Sequence, residues 1–316
     1  MGWQDPRAQT SVLTAAEQRL GTVVDGKYRI VSVIGVGGMG VVYEAEHLFL
    51  DRSVALKVLH PRYQDVHEAA QRFLREARTL GRIGHRSIVQ VLDGGFVDGT
   101  TPYLVMERLV GENLAQRILR RQALRLEQVV VVLREVLKGL SAAHAKGIIH
   151  CDLKPENVFL AERAIQRRAI KILDFGIARM ITAIPEDTGD RSRTYGTPEY
   201  MSPEQIRGGV IDTRTDLYGV GVVAYEALTG RPPFPADTEV RRDVFKTILR
   251  DPPPAPIGLR DPIPPPLTAL LLQLLAKDPN LRPASAVDVI CALDDLNLVA
   301  PVSLPSIRAA KPVGDG

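Results

Sequence analysis

The alternation of hydrophobic and polar residues predicts a small β-rich region in the first third of the chain. Segments with the period-two pattern of strands are residues 28–34, 41–46, 53–59, 88–96 and 102–106. A single helix is predicted over residues 67–83, where Phe73, Ala77 and Leu80 share one face. We therefore expect a small antiparallel sheet accompanied by one helix.

After residue 109 the hydrophobic pattern becomes mostly helical. Residues 126–146 predict a long amphipathic helix, and residues 216–229 and 267–277 predict apolar ones. Residues 251–266 are dense in proline, which excludes regular structure there. We interpret this stretch as a loop between two helices; a ligand for a proline-reading module is the alternative.

Composition excludes some classes of function but does not identify one. The 316 residues are 45% hydrophobic and 24% charged, which is typical of a globular protein with an ample core. The formal charge of +3, with no sustained basic stripe, argues against nucleic acid as a partner. Cys151 and Cys291 form neither a disulfide framework nor a metal cluster, so a reducing, cytoplasmic compartment is expected. No apolar segment reaches the ~20 residues that span a bilayer.

A glycine run follows the first predicted strand. Residues 35–42 match G-x-G-x-x-G-x-V, and glycines let a backbone approach phosphates and offer its N–H groups. A dinucleotide-binding turn shares part of this pattern but needs a helix to begin inside the run. The residues after Gly40 are β-branched and aromatic, and no Lys-Ser/Thr pair of a Walker loop follows. The run therefore predicts a phosphate-covering hairpin, with an ordinary glycine turn as the alternative.

Lys57 stands in an apolar strand, in the sequence Val-Ala-Leu-Lys. A buried lysine needs an anion or it loses its charge. Two candidates are ligand phosphates and the carboxylate of Glu76 on the following helix. A solvated lysine is the alternative interpretation, which the glycine run before it disfavours.

Residues 150–157, His-Cys-Asp-Leu-Lys-Pro-Glu-Asn, concentrate the candidate chemistry. Asp152 offers a carboxylate to accept a hydroxyl proton, Lys154 a cation for phosphate charge, and Asn157 an amide oxygen for a metal. Asp174, in Asp-Phe-Gly after a predicted strand, supplies a second oxygen ligand, and such ligands suit Mg²⁺. Each aspartate alone could be a helix cap or a turn residue, but their joint order and spacing favour a site.

These motifs together resemble the eukaryotic-type protein kinase superfamily. The similarity runs over residues 28–298, and residues 196–205, Gly-Thr-Pro-Glu-Tyr-Met-Ser-Pro-Glu-Gln, look most like bacterial serine/threonine kinases. The resemblance implies an α+β, bilobal protein-kinase fold. Its expected parts are a loosely ordered lead-in (1–26), an antiparallel-sheet N-lobe with one main helix (27–108), a mostly helical C-lobe (109–298) and a disordered tail (299–316).

The resemblance also implies a role for individual residues. The implied catalytic residues are Asp152, Lys154, Lys57 and Glu76, with Lys57 paired to Glu76. The implied metal ligands are Asn157 and Asp174. The implied nucleotide-binding residues are Ile34, Gly35, Val36, Gly37, Gly38, Met39, Gly40, Val42, Ala55, Lys57, Met106, Glu107, Leu109 and Phe159. Of these, Val42, Ala55 and Phe159 are expected to sandwich adenine, with Met106 as gatekeeper.

Further implications concern substrates and architecture. The implied phosphate donor is ATP with Mg²⁺, or with Mn²⁺ as a substitute. The implied acceptors are proteins with Ser/Thr hydroxyls. A homodimer through the N-lobe is expected by analogy with the family. Glu204 resembles the glutamate that pairs with a buried arginine, here Arg282, and Asp216 the aspartate that braces the catalytic loop. The rival interpretations are a pseudokinase, disfavoured because Lys57, Asp152, Asn157 and Asp174 are all present, and a small-molecule phosphotransferase of related fold.

The sequence departs from this family's pattern at Cys151, where many members carry an arginine that binds a phosphate on the activation segment. A cysteine cannot form that charge-assisted pair. We therefore predict that the chain depends less than its relatives on phosphorylation of its activation segment, where Thr182, Thr188, Ser192 and Thr194 are candidate sites. Cys151 itself is interpreted as an inert thiol, with a redox switch as the alternative.

Overall fold

The computed structural model describes residues 13–37, 40–60, 77, 81–162, 169–175, 198–236 and 241–298. Six strands within these ranges form an antiparallel sheet in the order β1-β2-β3-β4-β6-β5. The strands are β1 (Val23–Val24), β2 (Tyr28–Gly37), β3 (Gly40–His47), β4 (Arg52–Leu59), β5 (Val91–Val97) and β6 (Thr101–Glu107). The predicted small antiparallel sheet is confirmed. The predicted helix over 67–83 lies mostly outside the described residues.

The sheet buries side chains on both faces because its strands alternate. Along β4, Leu56 belongs to one buried cluster and Ala55 to another, as expected of neighbours that point to opposite faces. The cluster around Leu56 contains Ala16 and Val24, each 3% exposed. Residues 1–26 are predicted to be a loosely ordered lead-in, and of these the structure describes 13–26. Within that stretch Ala16 and Val24 are buried in the hydrophobic core of the sheet, while most of the other side chains are exposed.

The second lobe is mostly helical, as predicted. Its helices are α1 (Leu114–Arg121), α2 (Leu126–His144), α3 (Pro203–Arg207), α4 (Thr213–Thr229), α5 (Arg241–Arg250), α6 (Pro265–Leu274) and α7 (Ala286–Asp295). A large buried cluster joins α2, α4, α6 and α7. The predicted bilobal kinase-like architecture, a sheet lobe followed by a helical lobe, is confirmed.

Polar side chains fix where several helices begin. Asn113 accepts from the backbone N–H of Gln116 at the start of α1, and Ser202 accepts from that of Gln205 at the start of α3. Residues 251–264 contain neither helix nor strand, in agreement with their proline content. Pro265 nevertheless opens α6, although residues 251–266 are predicted to be irregular. Proline is tolerated in the first helical turn, where its missing N–H has no partner to lose.

A second, smaller antiparallel sheet lies where the lobes meet. It consists of β7 (Gly111–Asn113), β8 (Val158–Ala161) and β9 (Ala169–Ile172). Residues 87–89 join the lobes there, because the backbone N–H of Val89 donates to Ile172 O and that of Ile172 to Ser87 O. No helix in the described part of the chain is both long and apolar enough to cross a membrane. The predicted tail, residues 299–316, lies outside the described residues.

Candidate active site

The glycine run forms the hairpin that the sequence predicts. Gly35 pairs with Val42 and Gly37 with Gly40, so strand continues on both sides of the turn and no helix follows. Gly40 is required by close packing, because a Cβ atom there would lie 2.2 Å from the carbonyl oxygen of Val58. Gly38 and Met39 lie outside the described residues. The hairpin excludes the dinucleotide-binding turn as the explanation of this motif.

An apolar wall lies beneath the hairpin. Ala55 and Met106 are buried together with Val89, and the half-buried residues packed against them are Val42, Val91, Leu109 and Leu173. Of these seven, Val42, Ala55, Met106 and Leu109 were predicted from the sequence. Val89, Val91 and Leu173 were missed because nothing in a strand-like segment shows which face will meet a cleft. Such a wall of small and aliphatic side chains can hold a flat aromatic ring.

Four more of the predicted nucleotide-contacting residues lie on β2, β6 and β8. Ile34 and Val36 are 40% and 38% exposed on β2. Phe159 is half-buried on β8, where it lies opposite Lys171 of β9. Glu107 is the last residue of β6, directly after Met106. All four lie on elements that border the cleft between the sheet and the helical lobe.

Lys57 reaches across the cleft to Asp174. Its Nζ donates to Oδ1 of Asp174 at 2.7 Å, and the lysine side chain is only 6% exposed. Burial opposes ionisation of Asp174, but the charge and hydrogen bond of Lys57 outweigh it and hold the pKa of that carboxyl below its usual range. Glu76, the partner that the resemblance implies, lies outside the described residues. Two stretches 117 residues apart therefore meet at one ion pair.

The loop that contains Asp152 presents three functional groups together. Lys154 Nζ lies 3.0 Å from Oδ2 of Asp152. The side-chain amide of Asn157 donates to the backbone oxygen of Asp152 at 2.8 Å and to its Oδ2 at 3.2 Å. Since the amide nitrogen of Asn157 is thus engaged, its oxygen is the atom that can face a cation. The backbone N–H of Leu173 donates to Asn157 O at 2.8 Å, which brings Asp174 next to this loop.

Buried groups beneath the loop hold its backbone. Asp216 of α4 accepts from the backbone N–H groups of His150 and Cys151, each at 2.8 Å. His144 Nε2 also donates to Asp216, at 2.8 Å. Asp216 was predicted from the sequence, whereas His144 was missed because it looks like an ordinary residue near a helix end. His150 Nε2 donates to the carbonyl oxygen of Leu173 at 2.8 Å, which leaves its Nδ1 to accept from the N–H of Asp152.

A second buried carboxylate supports the segment after residue 198. Glu204 accepts from both terminal nitrogens of Arg282, at 2.7 and 2.9 Å, as the resemblance implies, and from the Thr215 hydroxyl at 2.8 Å. Burial opposes ionisation of Glu204, yet the hydrogen bonds and charge of Arg282 keep its pKa below its usual range. Gln205 in turn donates to the carbonyl oxygen of Cys151 at 2.7 Å. The segment is therefore linked directly to the loop that bears Asp152.

The donor set fits a magnesium–nucleotide complex. Asn157 and Asp174 offer hard oxygen atoms, and a cation held by two protein ligands is completed by phosphate and water oxygens. Lys57 supplies positive charge at the same place, and the glycine hairpin leaves room for phosphates close to the backbone. The apolar wall begins beside Lys57 and Asp174, at Val42 and Leu173, and extends away from them to Met106 and Leu109. The cleft can therefore accept a base at one end and charged phosphates at the other.

Comparison with known proteins identifies the family. The protein kinase domain model matches residues 28–292. The serine/threonine-protein kinases pkn3 and Pkn1 of Myxococcus xanthus are 40% and 43% identical over 274 and 262 residues. These matches cover 85% and 82% of this chain but 50% and 37% of the two relatives, so the chain spans about half their length or less. PknL of Mycobacterium tuberculosis is 37% identical, and the match covers 92% of this chain and 70% of PknL.

A solved structure gives the same result. The kinase domain of Mycobacterium tuberculosis PknI superposes with a TM-score of 0.68 at 27% identity, covering 87% of this chain and 98% of that one. Members of this family use ATP and a divalent metal to modify protein substrates. The hairpin, the lysine, the aspartate loop and the family match all agree. The chain belongs to the protein kinase family.

Proposed function

We propose that this chain is a serine/threonine protein kinase that transfers the γ-phosphoryl group of ATP to protein hydroxyls. The observation that carries the proposal is the convergence of three distant stretches on one cleft. Lys57 is paired with Asp174, and Asn157 is bonded to Asp152 by its side chain and to the residue before Asp174 by its backbone. The relatives carry names of the same class.

In this proposal Asp152 orients the acceptor hydroxyl and takes its proton as the new oxygen–phosphorus bond forms. The bond between the γ-phosphorus and the bridging oxygen breaks, and ADP leaves. Lys154 lies beside Asp152, where its charge offsets that of the transferring group. Phosphoryl transfer asks little covalent chemistry of the protein, so positioning and charge neutralisation supply most of the rate enhancement.

The nucleotide would lie between the two lobes. Adenine would pack against Val42, Ala55 and Phe159, with its edge at the backbone of Glu107 and Leu109, and Lys57 would hold the α- and β-phosphates. Asn157 and Asp174 would hold Mg²⁺, or Mn²⁺ in its place, and the metal when bound neutralises phosphate charge. Serine/threonine preference rests on Lys154 and on Thr197, which lies outside the described residues. A cytoplasmic location and a homodimer through the N-lobe remain part of the proposal.

The test is transfer of radiolabelled phosphate from ATP to generic protein substrates. We expect the wild-type protein to label them, and Asp152→Ala and Lys57→Met to stay folded with negligible transfer. Activity of either variant within about tenfold of wild type would refute the proposed roles of Asp152 and Lys57, because each substitution removes a group on which the transfer depends. A wild-type protein that binds ATP without transferring phosphate would instead indicate a pseudokinase. Transfer to small molecules alone would indicate the related phosphotransferase.

A further inference from the structure

Two lysine–carboxylate pairs cross the cleft in opposite directions. At the phosphate end, Lys57 of the sheet lobe reaches Asp174 of the helical lobe. At the other end, Lys171 of β9 in the helical lobe reaches Glu107, the last residue of β6 in the sheet lobe. The second pair belongs to no sequence motif, and Glu107 was predicted as a nucleotide-binding residue without a partner for its side chain. Because Glu107 directly follows Met106 of the apolar wall, the pair lies where it can affect nucleotide binding.

Lys171 is held firmly enough to act as a spacer. The residue is 7% exposed, and its Nζ donates to the backbone oxygen of Ile88 at 3.3 Å as well as to Oε1 of Glu107. A buried ammonium group must be paired, so its carboxylate partner is kept at a fixed distance. Lys171 lies on β9, which ends at Ile172, two residues before Asp174. A displacement of this side chain therefore moves β9 at the point where the two lobes meet.

Glu107 is held equally well on its own side. Its Oε1 accepts from the backbone N–H of Gln90 at 2.8 Å, and its own N–H donates to Gln90 O at 3.0 Å. Residues 87–89 are bonded in turn to Ile172 of β9. Three sets of bonds therefore form a closed ring: Lys171 of β9 bonds to Glu107 at the end of β6, Glu107 bonds to Gln90, and residues 87–89 bond back to β9. Glu107, whose backbone would meet the adenine edge, cannot shift without straining that ring.

We propose that the Lys171–Glu107 pair positions the adenine-contacting end of β6 against the helical lobe, so that Lys171 is a positioning residue for nucleotide binding. The inference rests on the proposed function. A purely structural pair would stabilise the fold without affecting one part of the nucleotide more than another. A positioning pair at this end affects recognition of the base and ribose, whereas the Lys57–Asp174 pair affects the phosphates. The two roles separate when the ligand has no phosphates.

Adenosine provides that ligand, and its inhibition constant against ATP is the measurement. We expect Lys171→Met to raise both the inhibition constant of adenosine and the KM for ATP roughly tenfold, equivalent to ~1.4 kcal/mol, with kcat within about threefold of wild type. Lys57→Met should leave the dissociation constant of adenosine, measured by direct binding, within about threefold of wild type. Arg86→Met is the matched control, because it breaks an ion pair with Glu135 whose arginine is 63% exposed. It should change none of these quantities.

A double variant separates positioning from stability. Glu107→Leu with Lys171→Met replaces the ion pair by apolar side chains, which commonly restores or raises the melting temperature. We expect it to melt near wild type and still bind adenosine roughly tenfold more weakly. Should Lys171→Met fail to fold, this double variant and Lys171→Gln decide the question.

Two results would overturn the inference: a folded Lys171→Met with wild-type affinity for adenosine, or a double variant that recovers affinity together with stability. Failure of the proposed function is distinguishable from both. In that case the wild-type protein itself does not transfer phosphate, whatever residue stands at position 171, whereas the effect of Lys171→Met on adenosine is measured by direct binding.

Discussion

The backbone N–H of Cys151 donates to Oδ1 of Asp216 at 2.8 Å, although Cys151 has a left-handed backbone with φ of 63°. Such a conformation costs a residue with a side chain roughly 1–3 kcal/mol, so other bonds must offset it. The second oxygen of Asp216 accepts from the N–H of His150 and from the ring of His144. One buried carboxylate thus fixes the backbone immediately before Asp152.

Asp216→Asn is the first prediction. An asparagine presents N–H groups where one carboxylate oxygen now accepts, so at least one of these bonds is lost and a donor is left buried. We expect the free energy of unfolding to fall by about 2–4 kcal/mol and kcat by at least roughly tenfold. Asp212→Asn is the matched control on the same helix, because Asp212 caps α4 from an exposed position and asparagine caps as well. Equal effects of the two substitutions would contradict the bracing role.

The half-buried carboxyl of Glu226 should make the stability of the fold depend on pH. Burial raises its pKa to about 7, with the Tyr200 hydroxyl, which donates at 2.7 Å, opposing the shift and Glu156 and Glu199 adding to it. Between the ordinary value of 4.5 and about 7 the folded protein binds more protons at this site than the unfolded chain. Its contribution to stability is therefore present at low pH and is lost as pH rises through that window.

Glu226→Gln removes this titration while keeping an acceptor for Tyr200. We expect the difference in unfolding free energy, variant minus wild type, to increase by about 2 kcal/mol from pH 5 to pH 8. Urea denaturation at both pH values measures it. Glu127→Gln, at an exposed position on α2, is the matched control. A constant difference between Glu226→Gln and wild type across this range would show that Glu226 does not titrate there.

Cys151 leads to a prediction about regulation. Because a thiol cannot bind a phosphorylated activation segment as an arginine does, dephosphorylated protein should keep activity within about tenfold of autophosphorylated protein. Phosphatase treatment followed by a rate assay measures the ratio. Cys151→Arg should increase the dependence on phosphorylation. A fall of about a hundredfold or more in the wild-type rate on dephosphorylation would contradict the prediction. The candidate sites Thr182, Thr188, Ser192 and Thr194 lie outside the described residues.

The packed lead-in provides the last prediction. Ala16 is 3% exposed against the sheet, whereas its neighbour Ala15 is exposed. Ala16→Asp would bury a carboxylate among Val24, Tyr43 and other core residues, and we expect it to cost about 2–4 kcal/mol of stability. Ala15→Asp, one position away, should change stability by less than about 0.5 kcal/mol. Thermal unfolding of the two variants tests it, and similar melting temperatures would mean that residues 13–26 contribute little to the lobe.

Local patterns in the sequence were enough to predict much of the fold and the family. The glycine hairpin, the helices around residues 126–144 and 213–229, and the order of Lys57, Asp152 and Asp174 all follow from short motifs and periodicity. Such features depend on neighbours along the chain, which the sequence contains directly. The start of α6 at Pro265 shows the limit of such patterns, since a proline count cannot separate a loop from a first helical turn.

Contacts between distant residues could be decided only by the tertiary structure. Nothing in the sequence shows that Lys57 lies beside Asp174, that His144 bonds to Asp216, or that Lys171 reaches Glu107. Ala16 likewise looks like any small residue until the sheet is folded beneath it. A side chain's charge and burial depend on which elements pack around it, and that packing is set by the whole core. The sequence thus determined which groups are present, and the fold determined which of them meet.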